Sequence, residues 1–208
     1  MHKYYLFLLL VLVSGITTYL TEKYVNTEDY HYYVLQKNFS DQQIENLINV
    51  KKRTQWLFIV KTPLMIAVKS ALVALLLLAG VDLFNYKLNF AVLWEISLLA
   101  QFAFLVIPLT KLLWFSFRSG YDFDDIINFP TFSIADLIEK NNLNGWETHL
   151  LNIFNIAEAL FLFILVLSLS TTLKVTRWQS LKIVACSYGV GYALWTVLVI
   201  FLMVNFGA

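Results

Sequence analysis

The sequence predicts an all-α fold: a polytopic membrane helix bundle with five transmembrane helices and short interfacial helices in two longer loops. Three observations predict it. Apolar types make up 59% of the 208 residues and charged types only 14%, whereas soluble domains carry roughly a quarter charged residues. Five separate runs approach or exceed the roughly 20 apolar residues needed to cross a bilayer. The connections between them alternate in length, two short and two long.

The runs are Tyr4–Leu20, Pro63–Val81, Leu88–Thr110, Leu150–Leu173 and Leu181–Val204. The first follows Lys3 and resembles a signal peptide in length. No small-residue cleavage site follows, so it reads as a retained helix. The second opens on Pro63, whose missing N–H costs nothing in a first turn, and closes on Gly80. "DLFNYK" makes the second and third runs an antiparallel hairpin, and "KVTRWQS" does the same for the fourth and fifth. Pro108 falls near the predicted end of the third run. An interruption at mid-membrane, the mark of many transporters, is therefore not expected there.

The long loops carry the interfacial helices. Ser40 or Asp41 caps a helix whose partly apolar face is Ile44, Leu47, Ile48 and Val50, followed by "KKR" and Trp56. The other loop holds "YDFDDIINFP" and then "TFSIADLIEK", where Ser133 and Asp136 form a capping-box-like start. The helical extension past Thr110 is expected to break at Gly120. No repeat, low-complexity tract or separate soluble domain is visible, so residues 1–208 read as one membrane domain.

Composition also excludes functions. A net charge of +1 gives no basic field for nucleic acid. One cysteine, Cys186, allows neither an intrachain disulfide nor a cysteine metal site. Nucleotide-binding glycine loops, G-x-S-x-G and H-E-x-x-H are lacking. No catalytic residue and no cofactor is expected, and the expected partners are the lipid bilayer and other membrane proteins or the chain itself.

Charge inside the runs holds most of the chemistry. A charge at mid-bilayer costs at least several kcal/mol, so it must be paired, neutral or next to water. Lys69, Glu95 and Glu158 form the candidate polar cluster. Helix counting at 1.5 Å per residue puts Lys69 and Glu158 within roughly 3 Å in depth and Glu95 about 8 Å deeper. Lys69 is expected to bridge to Glu158, with Glu95 or Gln101 nearby. The cluster serves either to hold the bundle together or to relay protons or ions.

Two further patterns stand out. Ala185, Gly189 and Ala193 recur at i, i+4 and i+8 in the fifth run, with Ser187 and Gly191 on a neighbouring face. Small residues let helices approach closely in lipid, either within the chain or between copies. Asp122, Asp124 and Asp125 could bind a hard divalent cation, giving an intramembrane enzyme as a third functional reading. The alternative is a solvated acidic turn.

The stretch "LLNIFNIAEALFLFILVLSLSTTLKVTRWQSLKIVACSYGVGYALWTVLVIF" resembles the carboxyl-terminal part of Yip family proteins, Rab-interacting-protein-like membrane proteins with bacterial relatives. Asn152 and Phe154 match the entry to the fourth span, and residues 174–182 match the basic turn. The order of five spans and two hairpins matches too, while Ala157 stands where many members have Trp. The resemblance implies an integral membrane protein without catalysis, acting through partners in trafficking or membrane organisation. Residue usage rich in Lys, Asn, Ile and Phe points to a bacterium, hence an inner membrane. Lys3, Lys87, Lys174, Arg177 and Lys182 share one face against Asp82 alone, which favours a cytoplasmic amino end; "KKR" on the other face is the counter-signal.

Overall fold

The computed structural model describes residues 2–36, 38–54, 56–118, 120–138 and 144–206. Among these residues every regular element is helical. Five helices are long and apolar enough to cross a membrane: Tyr4–Tyr24, Val60–Leu83, Phe90–Phe117, Ile156–Leu173 and Arg177–Phe206.

The first long helix is α1 (His2–Tyr24). It packs through Leu10 onto Leu98 and Leu105 of the third. Two short helices follow. Thr27 caps α2 (Glu28–Leu35), its hydroxyl accepting from the Tyr30 N–H at 3.4 Å. The predicted amphipathic helix is α3 (Asp41–Thr54), entered where the Ser40 N–H donates to Gln43 at 3.1 Å. Of its expected apolar face only Ile44 is buried, and Leu47 and Val50 face outward. Lys51 to Glu22 at 2.5 Å and Lys52 to Glu28 at 2.8 Å tie α3 back to α1 and α2.

The second long helix, α4 (Trp56–Leu83), begins seven residues before the predicted start and contains Pro63 in its interior. A proline there removes one backbone hydrogen bond, which an apolar helix tolerates. Trp56, Leu57 and Val60 continue the apolar run upstream and outweigh that loss.

The third long helix runs past Thr110 to just before Gly120, as expected, but it is not regular. It is built from α5 (Phe90–Gln101), a tight 3₁₀ turn over Phe102–Leu105, and α6 (Val106–Phe117). Pro108 lacks the N–H that would bond to the Phe104 carbonyl, and its ring crowds that carbonyl. The turn before it winds tighter instead, closing with Val106 N–H on Ala103. Because the helix runs on to Phe117, this irregularity sits mid-helix and not near an end, correcting the expectation. The chain then leaves helical geometry just before Gly120, whose φ of +76° suits glycine.

The 118–144 loop holds α7 (Phe123–Ile127) and a 3₁₀ turn at Ile134–Leu137. As the capping signature predicts, the Ser133 N–H donates to the Asp136 carboxylate at 3.0 Å.

The fourth long helix departs most from its prediction. A single helix over residues 150–173 is expected, but the chain forms α8 (Gly145–Ile153) and α9 (Ile156–Leu173) with a break at Phe154–Asn155. Asn155 is the cause. Its side-chain oxygen accepts from the Glu158 N–H at 2.9 Å, and its amide donates to the Asn152 carbonyl at 2.8 Å. Asn competes with the helix for backbone groups in this way. Residues on the preceding loop satisfy what is freed: Ile134 N–H bonds to Phe154 and Ile156 N–H to Phe132, both at 3.1 Å.

After a left-handed Lys174 the fifth long helix starts at Arg177, four residues early. Thr176 and Gln179 form a reciprocal capping box with contacts of 3.3 Å. The helix comprises α10 (Arg177–Val184), a π turn at Ala185–Gly189 and α11 (Val190–Phe206). The main core lies among α4, α5, α9 and α10, where Leu77, Leu93, Phe161, Leu165, Leu169 and Ile183 are fully buried.

Candidate functional site: a polar layer among the long helices

Lys69, Phe104 and Glu158 lie on three helices, each about 20 Å along its axis from the Leu83, Phe90 and Leu173 ends at 1.5 Å per residue. They therefore share one layer. The predicted depth match between Lys69 and Glu158 agrees with this placement, but the predicted contact does not. No ion pair within 4 Å joins them among the described residues. Their charges remain close enough to interact.

Each charge has another neighbour. Tyr188, on the π turn, donates its hydroxyl to Glu158 Oε1 at 2.6 Å. Lys69 Nζ sits 3.3 Å from the centre of the Phe104 ring and 5.8 Å from that of Phe161. A cation over an aromatic face is held by the ring quadrupole, and more strongly where water is excluded. Phe161 joins the two halves: its ring centre lies 5.1 Å from Phe104 and 5.2 Å from Tyr188. Tyr192 stacks on Tyr188 at 5.6 Å.

Glu158 is also explained locally. It occupies the third position of α9, where a carboxylate meets the positive end of the helix dipole. Only 8% of the residue is exposed. Glu95 stands apart from this group. It is half-buried on α5 and has no hydrogen-bond or ion-pair partner among the described residues. Gln101, by contrast, reaches the neighbouring helix, its amide donating to the Ile66 carbonyl at 3.3 Å.

Irregular backbone gathers around this layer. The 3₁₀ turn holds Phe104, the α8–α9 break lies three residues before Glu158, and the π turn holds Tyr188. Such interruptions recur at functional positions because they re-aim side chains that a regular helix would point elsewhere.

The small-residue stripe is not a packing seam within the chain. Ala185 and Ala193 are exposed and Gly189 is half-buried. The π turn adds residues to one turn, so i+4 spacing no longer follows a single face. Close packing falls instead to Ser187 and Gly191. A Cβ on Gly80 would meet Ser187 Oγ at 2.7 Å, and one on Gly191 would meet Leu76 Cδ1 at 2.8 Å.

Past the π turn a groove of about 1130 Å³ is bounded by α11, the start of α9, α8 and the 130–137 loop. Leu162, Tyr192, Ala193, Thr196 and Val197 line it, with Glu158 in its wall.

The acidic triplet does not converge. Asp125 accepts from the Asp122 N–H at 3.2 Å and lies 3.9 Å from Arg118. Asp124 accepts from the Tyr33 hydroxyl at 3.2 Å, which raises that phenol above the ordinary tyrosine range. The carboxylates begin α7 and hold α2 to it. Among the described residues no group of three His, Cys, Asp or Glu could hold a metal ion, which corrects the expectation for Asp122, Asp124 and Asp125.

Sequence reading missed Tyr188, Phe104 and Phe161. Tyr188 had one available signal: with Tyr192 it is one of two polar aromatic residues in an otherwise small and apolar stretch, "VACSYGVGY". No family model matches the chain, and neither does a curated protein or a solved structure.

Proposed function

We propose that the chain is an integral membrane protein that crosses the bilayer five times and works there without catalysis, as a scaffold or assembly partner for other membrane proteins. We place it in a bacterial inner membrane with a cytoplasmic amino end. The observation supporting this reading is the fifth helix. No described residue of α11 is buried within the chain, and Trp195, Leu198, Phe201 and Val204 point outward from it. A helix apolar on every side needs lipid or another protein around it. The resemblance of residues 150–201 to Yip proteins is in keeping with a role exerted through partners.

The test is a pull-down of the tagged chain in gentle detergent with mass spectrometry. A defined partner set, or an oligomer of the chain, is expected. A lone monomer from several detergents would argue against scaffolding.

A second reading, a transport-related subunit with a Lys/Glu relay, gains from the three interrupted helices that surround Lys69 and Glu158. Discontinuous helices commonly bear the binding sites of transporters. Glu158→Gln separates the two readings. Loss of a proton-coupled flux with assembly intact supports the relay, and altered assembly supports the scaffold.

A further inference from the structure

The groove between α9 and α11 has a chemistry of its own. Glu158 Oε1 is occupied by the Tyr188 hydroxyl. Its second oxygen, Oε2, accepts no hydrogen bond among the described residues and keeps accessible surface, although the residue as a whole is only 8% exposed. Lys69 does not supply the missing donor, because its ammonium is seated on Phe104. A carboxylate oxygen without a protein donor must find one in whatever fills the space beside it, and this carboxylate borders the groove.

The walls narrow the occupant. Leu162, Ala193, Val197 and Ile200 make an apolar wall, Ser133, Asp136, Asn155 and Thr196 add polar groups, and no Lys, Arg or His lines it. A phosphate or carboxylate headgroup would meet no cation there. The volume of about 1130 Å³ lies just above the 300–1,000 Å³ typical of small-molecule sites. It is far too small for another transmembrane helix, roughly 30 Å long and 10 Å across.

We propose that this groove binds an amphiphilic primary amine free of phosphate, its ammonium donating to Glu158 Oε2 and its alkyl chain lying along Leu162, Ala193 and Val197. Apolar burial supplies most of the affinity, and the charge-assisted hydrogen bond sets the headgroup preference. The inference is independent of the scaffold reading: loss of a protein partner leaves amine binding in place, and failure of amine binding leaves the partner set unchanged.

The experiment uses the full chain, purified in a non-ionic detergent, with radiolabelled dodecylamine as the probe. Saturable binding of one amine per chain is expected. Unlabelled dodecanol, dodecanoate or phosphatidylethanolamine should displace it only at concentrations at least tenfold higher than unlabelled dodecylamine needs. Glu158→Gln should weaken binding at least tenfold. Ala193→Trp, which fills the groove without touching the carboxylate, should abolish binding while leaving the unfolding midpoint near that of the parent. The proposal is overturned if dodecanol or the phospholipid competes as well as the amine, or if Ala193→Trp binds normally. It also fails if a folded Glu158→Gln protein keeps full affinity. Should Glu158→Gln not fold, the competition and Ala193→Trp decide the matter.

Discussion

Glu158→Leu should destabilise the bundle by about 3 kcal/mol, chiefly from an orphaned buried donor, because Lys69 is not in ion-pair contact and keeps its seat on Phe104. The Tyr188 hydroxyl, 2.6 Å from Oε1, would lose its acceptor in a region with little water to replace it. Lys69 would keep its seat on Phe104 but lose the nearby opposite charge. Glu158→Gln should cost less, about 1 kcal/mol, because an amide oxygen still accepts from Tyr188. The decisive comparison is the triple variant Glu158→Leu, Tyr188→Phe, Lys69→Met. Removing a whole polar group and replacing it with apolar residues is often neutral, so much of the lost stability should return. Unfolding by SDS titration in mixed micelles measures each step. A neutral Glu158→Leu would mean that the carboxylate contributes nothing to the fold.

Phe161→Ala should have a comparable effect, again about 3 kcal/mol, at the low end for truncating a buried aromatic. Phe161 is fully buried and touches both Phe104 and Tyr188. Its loss opens a cavity at a side chain that connects the Lys69 half of the layer to the Glu158 half. The figure falls at the low end because lipid is as apolar as the core, so the transfer contribution shrinks and lost packing dominates. Phe163, two residues away and 57% exposed, provides the control. Phe163→Ala should change stability by less than about 0.5 kcal/mol. Equal effects at the two positions would contradict the assigned helix face.

Much of the helical order was readable in the sequence, because long apolar runs and short turns are strong local signals. The capping pairs Ser133–Asp136 and Thr176–Gln179 were equally legible, although only the first entered the expectation. The ends were less so. Pro63 reads as a start, yet the apolar residues before it extend α4 back to Trp56. There apolar context overrode a proline. Pro108 reads as lying near a span end, and because α6 continues past it to Phe117 the irregularity falls mid-helix. Asn155 did the reverse: within an apolar run it broke the helix, because its side chain bonds to the backbone on both sides of the break.

The site was half legible. Helix counting brought Lys69 and Glu158 to one level, since depth depends only on residue number and rise. It could not give azimuth, which decides contact. Azimuth here is set by the 3₁₀ turn, the α8–α9 break and the π turn, and these turn Phe104 toward Lys69 and Tyr188 toward Glu158. The stripe at Ala185, Gly189 and Ala193 does not pack within the chain for the same reason, because a regular helix was assumed where the π turn shifts the register. The acidic triplet failed differently: adjacency in sequence did not become convergence in space.

The most direct measurement of the account is cysteine accessibility in sealed vesicles of both orientations, in a Cys186→Ser background. Single cysteines would replace Lys87 and Arg177 at one end of the bundle, and Glu45 and Asn128 at the other, all exposed positions. A membrane-impermeant maleimide should label the first pair from one side only and the second pair from the opposite side only. Labelling of all four from the same side, or release of the chain by carbonate, would contradict a five-span protein with its polar layer inside the bilayer.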